Sequence, residues 1–204
     1  MTFAQRFSQW FAQIKTWLSR FPRDQFAELL VVTVVVIALL AGWAVKAGAE
    51  ARAVHIQIAG FGASYGYDWI RDQSIAPEIL RIVDPGSGAR YPTTITVRAI
   101  EPGADAQDAA NALNQERSIQ EKLYQVLGAD EFKLRRRTFY QNDFAYVYVS
   151  PDLLNPTLPV VVHGTDAILP HGGTTYVITC IADEAAYAEA QQALTRFLRS
   201  ISID

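Results

Sequence analysis

Cys180 is the only cysteine of this 204-residue chain, and it lies in "TTYVITCIADE" (174–184), just before a helical pattern starting near Asp183. A thiolate beside a helix N-terminus or a cation, in partly exposed surroundings, would be a nucleophile. Here Asp183 and Glu184 follow, no basic residue is adjacent, and strand alternation sets Cys180 on one face with Tyr176 and Ile178. Such a thiol packs as a small hydrophobe. A lone cysteine also forms no intrachain disulfide, so it does not report the redox compartment. The histidines are His55, His163 and His171. Only the last two could approach one another, and a turn around Pro170–Gly173 places His171 well beyond His163. The sequence has no HxxxH or CxxC spacing and no nucleophile elbow, and Gly60, Gly62 and Gly66 lack the spacing of a phosphate loop. These residues predict no enzyme, no cofactor and no metal.

"KLRRR" (133–137) offers binding rather than catalysis. Read as a strand, it puts Lys133, Arg135 and Arg137 on one face and Leu134 and Arg136 on the other. Three like charges cannot be buried unpaired, so that face meets either solvent or an acidic partner. A hairpin turn at "QND" (141–143) would bring Tyr146 and Tyr148 opposite. Whether they flank Arg135 and Arg137 or lie on the far face depends on the parity of that loop. Residues 1–49 carry a net charge of +3 and the remainder −6, which makes nucleic acid an unsuitable partner.

The elements that must position these groups fall into two parts. Residues 1–22 repeat aromatic and aliphatic residues at steps of three and four, from Phe3 and Phe7 to Trp17 and Phe21. With Arg6, Lys15 and Arg20 elsewhere around the helix, this predicts an amphipathic helix lying in the lipid interface through residues 3–21, the alternative being a helix packed on a partner subunit's cytoplasmic surface. Pro22 ends it and Asp24 can cap the next helix. "LLVVTVVVIALLAGWAV" (29–45) holds no charge, and a span over 24–47 reaches the about 20 residues that cross a hydrocarbon core. The uncharged stretch is longer than a signal-peptide core and some 25 residues precede it, which argues against cleavage, although Ala47-Gly48-Ala49 resembles a small-residue cleavage site. Ala38 and Gly42 form a small-xxx-small pair suited to a neighbouring helix. Arg6, Lys15, Arg20 and Arg23 precede the span, whereas only Lys46 and Arg52 follow closely. That bias predicts a cytoplasmic N-terminus and an extracytoplasmic, periplasmic-side C-terminal domain.

Residues 48–64 read as a linker with a possible short strand at 54–59. Beyond it, "YGYDWI" (65–70), "EILRIVD" (78–84) and "TTITVRAI" (93–100) read as strands, with a turn at "PGSG" (85–88). Asp105 can cap a helix running to about Leu127, with Ala109, Leu113, Ile119, Leu123 and Leu127 among its apolar positions, and Gly128 stops it. "FKLRRRTFY" and "FAYVYVS" then form a hairpin around "QND". "PVVVHGTDAIL" and "TTYVITCIA" form a second around "PHGG", and residues 183–200 form a last helix. The fold class is α+β with an essentially antiparallel sheet.

The order of these landmarks resembles the PsbP-like family, named for an extrinsic protein of photosystem II. The resemblance covers roughly residues 65–203, within a domain expected over 65–204. It rests on "YGYDW", "IVDPGSGARYPTTITVRAI", the hairpin "RRRTFYQNDFAYVYV" and the closing "TYVITCIADEAAYAEAQQALTRFLRSISI". It implies an antiparallel sheet sandwiched between helices, and a role as an accessory or assembly protein of a membrane complex. A related nuclear branch binds a small GTPase. The membrane and interfacial helices depart from the family, and no metal-ligand set carries over. The expected function is a non-catalytic, single-pass, membrane-anchored accessory subunit, with integral and peripheral subunits as partners. An electron-transfer or photosynthetic complex is the expected host. The alternative is a membrane-tethered periplasmic ligand-binding module with a cleft between sheet and helix.

Overall fold

An uncharged apolar run has no reason to break a helix, and α1 (Arg23–Glu50) is a single 28-residue helix through it. In this computed structural model the described residues are 23–50, 52–58, 60–100, 103–150 and 158–203; within 23–50 the side chains described are those of 30–45 and 48. The expected interfacial helix over 1–22 lies outside the described residues. Among the described residues no helix is long and apolar enough to cross a membrane. The continuous stretch of described α1 side chains, Leu30–Val45, is about 24 Å long. Met1–Ala51 forms one compact unit and Arg52–Asp204 another.

The second unit starts earlier than Tyr65. β1 (Ala53–Ile58) takes the place of the short strand expected at 54–59, and it pairs with β2 (Phe61–Gly66) in an antiparallel hairpin that the linker reading did not include. Gly60, at φ 80°, supplies the left-handed residue of its turn. "YGYDWI" is not one strand: β2 ends at Gly66, a turn follows, and β3 (Ile70–Arg71) is a two-residue edge. β4 (Glu78–Asp84) and β5 (Thr93–Ile100) fall where the alternation placed them.

α2 (Ala106–Gln120) begins as expected, with the Asp105 carboxylate accepting the Gln107 N–H at 2.9 Å. It stops well short of Leu127. β6 (Lys122–Leu134) occupies the rest and pairs with β7 (Arg137–Tyr148), so Gly128 is a strand residue and no helix stop. Leu123 and Leu127, which had extended the helical period, are 78 % and 54 % exposed. Pairing with β7 gives partners to the inward-facing backbone groups of this segment.

β7 passes without interruption through Gln141, Asn142 and Asp143, and the hairpin turns instead at Arg135–Arg136. β8 (Val160–His171) and β9 (Thr174–Asp183) make the second hairpin. Its two-residue turn is Gly172–Gly173, at φ 60° and 85°, as the twist of a tight hairpin requires. The main sheet has the order β3-β4-β5-β9-β8-β7-β6, antiparallel throughout.

α3 (Tyr187–Ser200) and β10 (Ser202–Ile203) close the chain, and β10 joins β2. Helices cover both faces of the sheet. Ala190, Leu194, Phe197 and Leu198 of α3 pack on Ile95, Ile178 and Cys180. Phe61 of β2 packs against both Tyr176 of β9 and Phe197 of α3. On the other face, Ala109, Ala110 and Leu113 of α2 pack on Ile168 and Val177. Each fully buried Phe, Leu or Ile stabilises the fold by about 1.5–3 kcal/mol relative to exposure.

Candidate functional site

The most polar interior position is Asp166, fully buried in the middle of β8. Register sets it in one row with Asn142 of β7 and Thr179 of β9. Ala110, Leu113, Asn114 and Arg117 recur at helical spacing on α2, so the face that packs on the sheet also carries Arg117 across that row. Arg117 Nη1 donates to Asp166 Oδ2 at 2.5 Å and Nη2 to Oδ1 at 2.8 Å. Thr179 Oγ1 donates to Oδ1 at 2.7 Å and Asn142 Nδ2 to Oδ2 at 3.0 Å. Asn114 and Asn142 exchange side-chain hydrogen bonds, and Tyr124 OH donates to Asn114 Oδ1 at 2.5 Å. The Arg117 guanidinium also lies 4.1 Å from the centroid of the Phe144 ring.

Four donors fill the roughly four lone-pair positions of the Asp166 carboxylate. Burial alone would pull Arg117 down, but the charge and hydrogen bonds of Asp166 outweigh it and hold the guanidinium above its ordinary range. A carboxylate saturated in this way has no acceptor left for a substrate proton. The cluster clamps α2 to the sheet.

The face under α3 carries a second network. Thr165 Oγ1 donates to Asp143 Oδ1 at 2.6 Å, and Gln141 Nε2 to Asp143 Oδ2 at 2.7 Å. Gln191 Nε2 donates to Thr165 Oγ1 and to Tyr187 OH. The His163 ring stands 5.1 Å from that of Tyr187. Burial raises the Tyr187 hydroxyl, against the lowering effect of the Thr165 hydrogen bond. The histidines do not converge: His163 pairs with Ala182, His171 with Thr174, and His55 Nδ1 lies 3.2 Å from Ser64 Oγ. Among the described residues no cluster could hold a metal ion.

Cys180 lies under α3 and is 1 % exposed, with Sγ 3.7 Å from the Ala190 carbonyl oxygen. Burial pushes its thiol up to about 12. The thiol therefore has neither the access nor the ionisation of a nucleophile, as the strand pattern predicted.

The expected basic strand face does not form. Lys133 is in β6 opposite Thr138, Arg135 and Arg136 are the hairpin turn, and Arg137 opens β7 opposite Leu134. Arg137 Nη1 is committed to the Ile201 carbonyl oxygen at 2.5 Å. Tyr146 and Tyr148 belong to the same strand as Arg137, not to one opposite. Lys133, Arg135 and Arg136 remain exposed at the hairpin tip. In α1, Ala38 and Gly42 are exposed, and a Cβ on Gly42 would meet nothing within 4 Å. An open depression of about 810 Å³ lies between the Ser87–Arg90 loop, the start of β8 and the Asp183–Ala186 turn.

Sequence reasoning missed Arg117, Asn142 and Asp166. A signal was present: Asp166 interrupts "VVVHGTDAIL", a run apolar enough for burial on both faces, where a carboxylate needs a cation.

No family model and no curated protein sequence matches this chain. Solved structures do. The Ran-binding protein Mog1p of Saccharomyces cerevisiae superposes with a TM-score of 0.52 at 14 % identity, over 74 % of this chain and 95 % of its own. The solution structure of cyanobacterial PsbP (CyanoP) from Synechocystis superposes with a TM-score of 0.51 at 10 % identity, over 76 % and 94 %. The chain thus has a PsbP/Mog1-like α+β fold.

Proposed function

We propose that this protein is a non-catalytic accessory subunit of a multi-subunit membrane complex, anchored through residues 24–47, with Arg52–Asp204 on the extracytoplasmic side. The observation that carries the reading is the surface of α1. Every described side chain from Leu30 to Val45 is exposed, including Leu39 at 68 %, Trp43 at 70 % and Val45 at 74 %. Apolar surface left in water costs about 25 cal/mol per Å², and hydrocarbon removes that cost. The uncharged run starts at Leu29, Glu28 and Lys46 bracket it, and the whole helix is about 42 Å long. A hydrocarbon core is about 30 Å thick.

The outer domain supports binding better than catalysis, because its buried carboxylate is saturated and its thiol is enclosed. The exposed cations Arg135 and Arg136 make the hairpin tip a docking point for acidic groups of a partner subunit. Mog1p is described as Ran-binding, so this fold can present a protein-binding surface. The basic residues before the anchor favour a cytoplasmic N-terminus.

Membranes washed with alkaline carbonate should retain the full chain. Purification in mild detergent should bring stoichiometric proteins with it. Protease added to intact spheroplasts should digest the Arg52–Asp204 domain. Extraction by carbonate would remove the anchor, protection from protease would reverse the orientation, and a small molecule copurifying without proteins would favour the ligand-binding alternative.

A further inference from the structure

β6 is the outermost strand of the seven-stranded sheet, and among the described residues no strand pairs with its outer edge. Its first half is irregular, with register shifts at Lys122/Gln125 and Val126/Gly128 and Leu123 at φ 54°. Bulges of this kind bend an edge away from new partners. From Gly128 to Leu134 the register with β7 is unbroken. This straight half ends at the two-residue turn, which Leu134 and Arg137 close. Strand alternation from a hydrogen-bonded closing pair turns the main chain of Phe132 toward β7 and the N–H and C=O groups of Glu131 and Lys133 outward. The outward Glu131 N–H donates to the Asp130 carboxylate at 2.8 Å, a bond that a pairing strand replaces.

We infer that this edge pairs with the same edge of a second copy, antiparallel about a two-fold axis through Phe132. A two-fold axis normal to the sheet keeps each face on its own side, so paired residues must have the same parity. Centring on Glu131 would put two like charges opposite each other. Centring on Phe132 instead sets Glu131 against Lys133 of the other copy, twice by symmetry. Glu131 and Lys133 are both exposed and share the face that α2 covers elsewhere on the sheet. On the opposite face Phe132 meets its own copy at a non-hydrogen-bonded position, where Cα atoms lie about 4.5 Å apart. Phe132 already stacks on Phe139, with centroids 5.3 Å apart and planes 14° apart. It is half-buried, so one edge of the ring is free to extend that stack. Opposite charges and aromatic rings directly across an antiparallel pair are the side-chain pairs that stabilise sheets.

The test uses the full chain in mild detergent, with oligomeric mass read by sedimentation over a range of protein concentrations. Wild type should dimerise. Glu131→Lys or Lys133→Glu alone turns both attractive pairs repulsive and should weaken the dimer roughly tenfold or more. The double reversal, Glu131→Lys with Lys133→Glu, should restore it. In a Cys180→Ala background, Phe132→Cys should oxidise to a disulfide-linked dimer, since the expected Cα separation lies in the bridging range. Lys133→Cys should not, because it faces position 131. A wild type that stays monomeric, single reversals without effect, or equal cross-linking at 132 and 133 would each overturn the pairing.

Discussion

Replacing Arg117 with leucine tests the clamp between α2 and the sheet. Asp166 is fully buried and the Arg117 side chain is 15 % exposed, so the substitution leaves a carboxylate without its counter-charge. Breaking a buried pair from one side costs about 3–5 kcal/mol. Thr179 and Asn142 still donate to Asp166, which places the expected loss near the lower end, about 3 kcal/mol. For a domain of this size that corresponds to a fall in Tm of about 6–12 °C. Arg117→Leu combined with Asp166→Asn removes the stranded charge and should lose less than the sum of the two single changes, by about 1–3 kcal/mol. The assay is urea unfolding of the full chain in mild detergent, followed by near-ultraviolet circular dichroism. A loss below about 0.5 kcal/mol for Arg117→Leu, the level of an ordinary surface change, would refute the clamp. Strict additivity of the pair would refute the coupling.

Cys180→Ala should cost about 1–2 kcal/mol and leave partner binding intact, and thiol reagents at neutral pH should label the native protein slowly. The Cys180 pKa is raised to about 12 in the fold. The contribution of the protonated thiol is therefore full below the unfolded value of about 8.5 and is lost as pH rises toward 12, because the unfolded chain ionises first; urea midpoints of wild type and Cys180→Ala should converge across that window. Gly164→Ala should destabilise the domain by about 1–3 kcal/mol in the same unfolding assay, because the new Cβ would press on the edge of the buried Phe144 ring, 2.2–2.8 Å from three of its carbons. Arg135→Gln with Arg136→Gln should leave the circular dichroism spectrum unchanged but lower the ratio of this subunit to copurifying proteins, with a larger loss at high salt. Arg137→Gln should instead lower stability, since it removes the donor to Ile201.

The sequence by itself determined the local elements whose signals are self-contained. The alternation of 93–100 and the Asp105 cap act within a few residues and appear where their patterns put them, and the turn expected around "PHGG" falls on its two glycines, with Pro170 and His171 in β8. Cys180 was legible for the same reason, because strand parity and its acidic neighbours are local facts. Only the tertiary structure decided the segment from 121 to 143. Leu123 and Leu127 fit a helical period, but β7 offered that stretch a strand partner and ended α2 at Gln120. Gln141, Asn142 and Asp143 have the composition of a turn because in isolation their side chains compete for the backbone. Here Asn142 bonds Asn114 and Asp166, Asp143 bonds Thr165 on the neighbouring strand, and Gln141 reaches Asp143 along its own strand. Those bonds hold the three residues in mid-strand, move the hairpin to Arg135–Arg136, and divide the basic run between two strands and a turn. Arg117 and Asp166 are 49 residues apart in the chain, and no local spacing specifies their encounter. The register of β7, β8 and β9 under α2 brings them together.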